Sequence, residues 1–139
     1  MEDIKQQKEH FYTLKTSTRI AYSSINSVHC PILGEDIVFN SNGFRHLTIK
    51  PDGTYRTVKE GIYKLTLFPL AIPTIKSATV ISDERDIKIS VGRGKRRKYK
   101  DAKTYALTAY VGKKHPTLIR VIILRIGTGK YSFYSIMKN

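Results

Sequence analysis

The sequence predicts a single α+β domain, with N-terminal helices packed on a C-terminal four-stranded antiparallel meander and a short hairpin near residues 28–39. Three observations predict it. Apolar residues recur at helical spacing early in the chain, and they alternate with polar residues in the last third. Short glycine- and proline-bearing turns separate those alternating stretches. The 139 residues fit one domain covering 1–139. A chain of this length buries roughly two thirds of its unfolded surface, so no disulfide or metal staple is needed.

Residues 4–22 place Ile4, Phe11, Leu14, Ile20 and Tyr22 at helical intervals, with fraying expected through Thr16, Ser17 and Thr18. Val28 and Cys30 alternate with His29, and Gly34-Glu35 separates them from Ile37-Val38-Phe39, a short hairpin. Pro31 lacks an amide hydrogen, which puts its strand at an edge. Ser41 or Asn42 is expected to cap a short helix facing Phe44, Leu47 and Ile49 inward, before a Pro51-Asp52-Gly53 turn. From Thr57 to about Ala71 the residues Val58, Ile62, Leu65, Phe68 and Leu70 predict a second buried helix, bent or ended by Pro69 and Pro73.

The last third reads as sheet. Ile87, Ile89 and Val91 alternate with Lys88 and Ser90 in a half-buried strand, and GRGKRRKYKD forms the connecting loop. Tyr105, Leu107, Ala109 and Val111 mark the next strand, closed by a turn over Gly112 to Pro116. LIRVIILRI is apolar on both faces, as a central strand must be. Gly127-Thr128-Gly129 then turns the chain into YSFYSIM.

Charge narrows the function. Twenty-five Lys and Arg against eleven Asp and Glu leave +14 at neutral pH. Such an excess is self-repelling and is usually kept where a polyanion neutralises it. Membrane-surface binding concentrates cations on an amphipathic helix, whereas here they are spread over strands, turns and one loop. RNA or DNA is therefore the expected partner, with no membrane. Cys30 is the only cysteine, the N-terminal MEDIKQQKEHF is too polar for a secretory leader, and no apolar run approaches about 18 residues. These features predict a cytoplasmic protein.

Several chemistries are poorly supplied. His10, His29, His46 and His115 lack ligand spacing, and the carboxylate pairs Glu35-Asp36 and Asp83-Glu84 lie in turn-like contexts, so no metal site is expected. No P-loop or GxSxG motif is present and no cofactor is implied. Two clusters remain. Arg93, Lys95, Arg96, Arg97, Lys98 and Lys100 place six cations in eight positions, enough to neutralise phosphates, with Tyr99 available to stack on an unpaired base. Arg45 and His46 stand side by side ahead of Lys50 and Arg56. Neighbouring arginines disfavour the imidazolium, which suits proton transfer, and the same arginines can hold a phosphate. The competing reading is that His46 packs locally beside Phe44 and Leu47.

The run CPILGEDIVFNSNGFRHL, followed by Arg56, a leucine-rich helix and the closing TYALTAYVG and RVIILRIGTGKYSFYSIM, resembles the Barnase–EndoU–colicin–RelE (BECR) ribonuclease-like superfamily of phage and mobile-element type. That resemblance covers Val28 to Met137. It implies N-terminal helices on a four-stranded antiparallel sheet and a metal-independent ribonuclease, often a toxin with an acidic protein inhibitor. It further implies His46 as the acid–base residue, Arg56 and Arg120 as phosphate holders, and Tyr105, Tyr134 and Ser135 as supporting groups on the sheet. The chain departs from the best-known toxins in lacking an obvious glutamate base. Arg120 also stands out by itself, as a cation in an apolar strand with few acids to pair it. A non-catalytic RNA- or DNA-binding module, of phage or ribosome-associated type, is the alternative function.

Overall fold

A computed structural model describes residues 3–139, and the chain is mixed α and β as expected. Helix α1 (Ile4–Ser23) starts at Asp3, whose side chain accepts from the Gln6 amide while Gln6 caps back on the Asp3 amide. It does not fray at residues 16–18. The Ser17 hydroxyl donates to the Leu14 carbonyl, and Thr18 is buried. Tyr22 is buried and Phe11 and Leu14 pack on the core, whereas Ile4 and Ile20 face solvent.

Strands β1 (Ser27–Cys30) and β2 (Glu35–Val38) form the expected hairpin, with β1 at the sheet edge and Pro31 in the turn. Helix α2 (Ser41–Arg45) is capped by neither Ser41 nor Asn42. Asn40 does this, accepting from the Gly43 amide. The long second helix expected from periodicity is three pieces. Helix α3 (Val58–Leu67) runs into a 3₁₀ turn at Phe68–Leu70 that takes Pro69 in its first turn, and α4 (Ala71–Ser77) follows with Pro73 near its start. Each proline falls in the first turn of its piece, where the amide it lacks would be unpaired anyway, so helical backbone resumes directly after α3 ends at Leu67.

The meander is β3 (Val80–Val91), β4 (Lys98–Val111), β5 (Thr117–Ile126) and β6 (Tyr131–Lys138), each antiparallel to the next. Two expectations need correction. The sheet has six strands in the order β1-β2-β6-β5-β4-β3, because β2 pairs parallel to β6 through Ile37–Tyr131 and Val38–Ser132. Strand β3 also begins at Val80, seven residues earlier than Ile87. It is an edge strand whose charged run Asp83 to Asp86 hides the alternation.

One sheet face carries the core. Ile119, Val121 and Ile123 of β5 and Leu107 of β4 are fully buried, together with Leu65 and Ile75 from the helices. Tyr22, Phe39, Phe68 and Phe133 form one aromatic cluster. A Cβ at Gly43 would lie 2.5 Å from both the Phe133 carbonyl and the Tyr22 hydroxyl, so only glycine lets α2 approach β6 this closely.

Beyond Ser132, β6 has no strand on its outer side, and side chains from α3 satisfy its backbone instead. Lys64 Nζ donates to the Ile136 carbonyl at 2.7 Å, and the Lys138 amide donates to the Tyr63 hydroxyl at 2.9 Å. No described helix is long and apolar enough to cross a membrane.

Candidate active site on the open sheet face

The sheet face opposite the helices holds a groove of about 360 Å³. Asp83 and Arg85 enter it from β3, Thr104 from β4, Arg120 and Ile122 from β5, and Tyr134, Ser135 and Met137 from β6. Register explains the set. Residues directly opposite across an antiparallel ladder share a face, and Arg120 lies opposite Thr108 and Met137 while Ile122 lies opposite Ala106 and Ser135.

A bulge in β6 adds Tyr134. Ile122 pairs with Ser135 but Ile123 pairs with Phe133, leaving Tyr134 as an extra residue. Phe133 and Ile136 therefore both reach the core, three positions apart, and the intervening Tyr134 and Ser135 both turn to the groove. The period-breaking spacing of Phe133 and Ile136 is the signal in the sequence that could have revealed the bulge.

His46, just past α2, packs its ring edge-on against the Tyr134 ring, with centroids 4.5 Å apart. Burial lowers its pKa below the ordinary histidine value, and the charges of Arg56 and then Arg45 act in the same direction. Interaction with the Tyr134 backbone opposes them. The neutral imidazole thus dominates at neutral pH, and its buried Nδ1 has no hydrogen-bond partner. His46 packs on Tyr134, which is distant in sequence, and Tyr134 in turn lines the groove.

Arg56 does not line the groove. Its Nε donates to the His46 carbonyl at 3.0 Å, which fixes its positive charge beside His46 and Lys64. Arg120 is not short of an acid, contrary to expectation. Its guanidinium lies 3.4 Å from Asp83, which also accepts from Arg85 Nε at 2.6 Å. Tyr105 requires correction. It sits opposite Ile123, on the helix side of the sheet, where its ring meets Tyr131 at 5.6 Å and not the groove.

Lys64 was not visible as a functional residue. It is only 9% exposed, and its Nζ lies 3.2 Å from the Ser135 hydroxyl as well as on the Ile136 carbonyl. Burial, reinforced by Arg56 and opposed by Glu60, lowers its pKa to about 8. Nothing in an amphipathic helix pattern marks one lysine for burial.

The basic segment is more ordered than the expected loop. Strand β4 starts at Lys98, so only residues 92–97 connect the strands, with a 3₁₀ turn at Gly94–Arg96. Pairing of β4 with β5 begins at Ala102, so Lys88–Val91 and Lys98–Asp101 extend past β5 as a two-stranded arm. Alternation puts Lys98 and Lys100 on the groove side of the arm and Tyr99 on the other side. Arg93, Lys95, Arg96 and Arg97 are exposed at its tip. Arg45 is exposed at the end of α2 and Lys50 is half-buried in the turn after it, and neither lines the groove.

Among the described residues, no group of three or more His, Cys, Asp or Glu side chains is placed to hold a metal ion. Comparisons with known protein families, with curated proteins and with solved structures find no match for this chain.

Proposed function

We propose that the protein is a metal-independent endoribonuclease of the BECR type, with its site at the β6 side of the open sheet face. One observation supports this reading best. Tyr134 packs on His46 and also lines the groove that holds Arg120 and Ser135, so four residues scattered between positions 46 and 135 meet through one side chain.

The chemistry follows from that grouping. The neutral His46 imidazole takes the proton of an RNA 2′-hydroxyl, whose oxygen attacks the adjacent phosphorus. Arg120 stabilises the charge that builds on the phosphate oxygens, and the cations of the arm hold the flanking phosphates. The products are a 2′,3′-cyclic phosphate end and a 5′-hydroxyl end. An acidic inhibitor protein is the partner that a toxin of this kind requires.

RNA incubated with the protein in excess chelator should be cut to 2′,3′-cyclic ends. His46→Ala should slow cutting by about 100-fold or more, the usual contribution of a general base. RNA left intact, across structured and unstructured substrates, would sink the enzyme and leave a binding protein. That second reading draws on the Arg120–Asp83 pair, which resembles ordinary structural pairing. It predicts tight RNA or DNA binding without turnover, unaffected by His46→Ala.

A further inference from the structure

We infer that the buried Lys64 ammonium supplies the proton for the leaving 5′-oxygen, working through the Ser135 hydroxyl. This rests on the ribonuclease reading and deepens it. An ammonium only donates, so Ser135 Oγ, 3.2 Å from Lys64 Nζ, must accept from it. The hydroxyl proton of Ser135 then points away from Lys64. Ser135 lines the groove, so that proton is offered to whatever lies there. The second donor of Lys64 is spent on the Ile136 carbonyl at 2.7 Å, which anchors the amine behind Ser135.

The surroundings make this proton easy to release. Arg56, on the segment before α3, disfavours the charged amine, and Glu60 on α3 itself favours it more weakly. Strand β6 offers only a hydroxyl and a carbonyl, and the nearby side of α1 contributes Phe11 against Gly61. An ordinary surface lysine holds its proton too tightly for a useful acid near neutral pH, whereas this one is held near 8. Both pKa values are lowered, so near neutral pH His46 is free to accept a proton while Lys64 is still loaded to donate one.

The step balances. The 2′-hydroxyl proton goes to His46 as the 2′-oxygen bonds to phosphorus. Ser135 gives its proton to the departing 5′-oxygen as the P–O5′ bond breaks, and Lys64 replaces that proton. The cycle leaves imidazolium and neutral amine, which water restores. Ser135 touches the substrate, and Lys64 is a positioning and proton-feeding residue behind it.

Lys64 also closes the open edge of β6, so the test must separate that role. Lys64→Arg keeps the charge and a donor for Ile136 but cannot serve as an acid near pH 8. RNA cleavage in chelator should follow a bell in the wild type, rising at a pH below the ordinary histidine value and falling near pH 8. Lys64→Arg and Ser135→Ala should each lose about 100-fold on RNA, and Lys64→Arg should lose the fall near pH 8. The double variant should be no worse than either single one, because the two act as a unit. With a uridine 3′-(4-nitrophenyl phosphate), whose phenolate departs without a proton, both variants should recover to within about tenfold of wild type while His46→Ala does not.

Wild-type cleavage matched by Lys64→Arg, with the same fall near pH 8, overturns the inference and leaves the ribonuclease standing. An equal loss on both substrates also overturns it, by showing a structural role. A wild type that binds RNA and cuts neither substrate removes both readings together. Ser135 is half-exposed, so Ser135→Ala decides the matter even if Lys64→Arg does not fold.

Discussion

The Arg120 guanidinium lies 3.4 Å from the Asp83 carboxylate, and Arg85 Nε meets the same oxygen at 2.6 Å. Two cations share one anion in the floor of the groove. The pair is half-buried, so its net contribution to stability is modest. In the groove, the Asp83 carboxylate would compete with any bound anion for Arg120. Asp83→Asn should therefore tighten RNA binding and steepen the dependence of log affinity on log salt by about one unit. Thermal stability should fall by less than about 1 kcal/mol. Anisotropy titrations of a labelled RNA over a potassium chloride series measure the slope. An unchanged slope would mean that Arg120, even without the carboxylate, makes no phosphate contact.

The arm makes a separate prediction. Arg96 and Arg97 are exposed at its tip, with no acid paired to either among the described residues. Replacing both with Ala should flatten the salt dependence by about two units and leave the melting temperature where it was. Lys98→Ala with Lys100→Ala should weaken binding similarly, since both face the groove side. Tyr99→Ala should leave the slope alone, because Tyr99 lies on the other face and carries no charge. A slope indifferent to all four cations would exclude the arm from the interface.

Lys64 ties stability to pH. Its pKa is lowered from the ordinary 10.5 to about 8 in the folded protein, so the unfolded chain holds the proton more tightly. Unfolding therefore takes up a proton between about pH 8 and 10.5, and stability must rise with pH across that window. Relative to Lys64→Met, the wild type should gain on the order of 3 kcal/mol from pH 8 to above pH 10.5, and the difference should be flat below pH 8. Urea melts of the two proteins at matched pH values measure this. Parallel curves across the window would show that the amine reaches water and is not held among Arg56, Ser135 and Ile136.

Much of the molecule was legible from local pattern. Helix α1, the hairpin and three of the four meander strands follow from periodicity, because the burial of one face forces a repeat near 3.6 or of 2. The cationic segment was legible because charge density needs no partner to be read. The errors lie where the local signal was weak. Asp83 to Asp86 reads as a turn in isolation, yet an edge strand tolerates charge on an exposed rim. Tyr105 carries a plausible side chain for a site, but strand parity sends it to the other face.

Local pattern carries the α+β order, the basic character and the residue types at hand for chemistry. These depend on neighbours within about one helical turn or two strand positions. Which of those residues meet follows from long-range pairing and packing. The β2–β6 pairing joins segments about 95 residues apart through two register pairs, too few to leave a periodic trace. That pairing stops at Ser132, and the stop leaves the β6 edge open to Lys64 and Tyr63. Burial of Lys64, the Tyr134 bulge and the Asp83–Arg120 contact each place two side chains within a few ångströms although their positions are distant or out of phase in the chain. Hydrogen-bond satisfaction and close packing act on distance in space, and a one-dimensional pattern records neither.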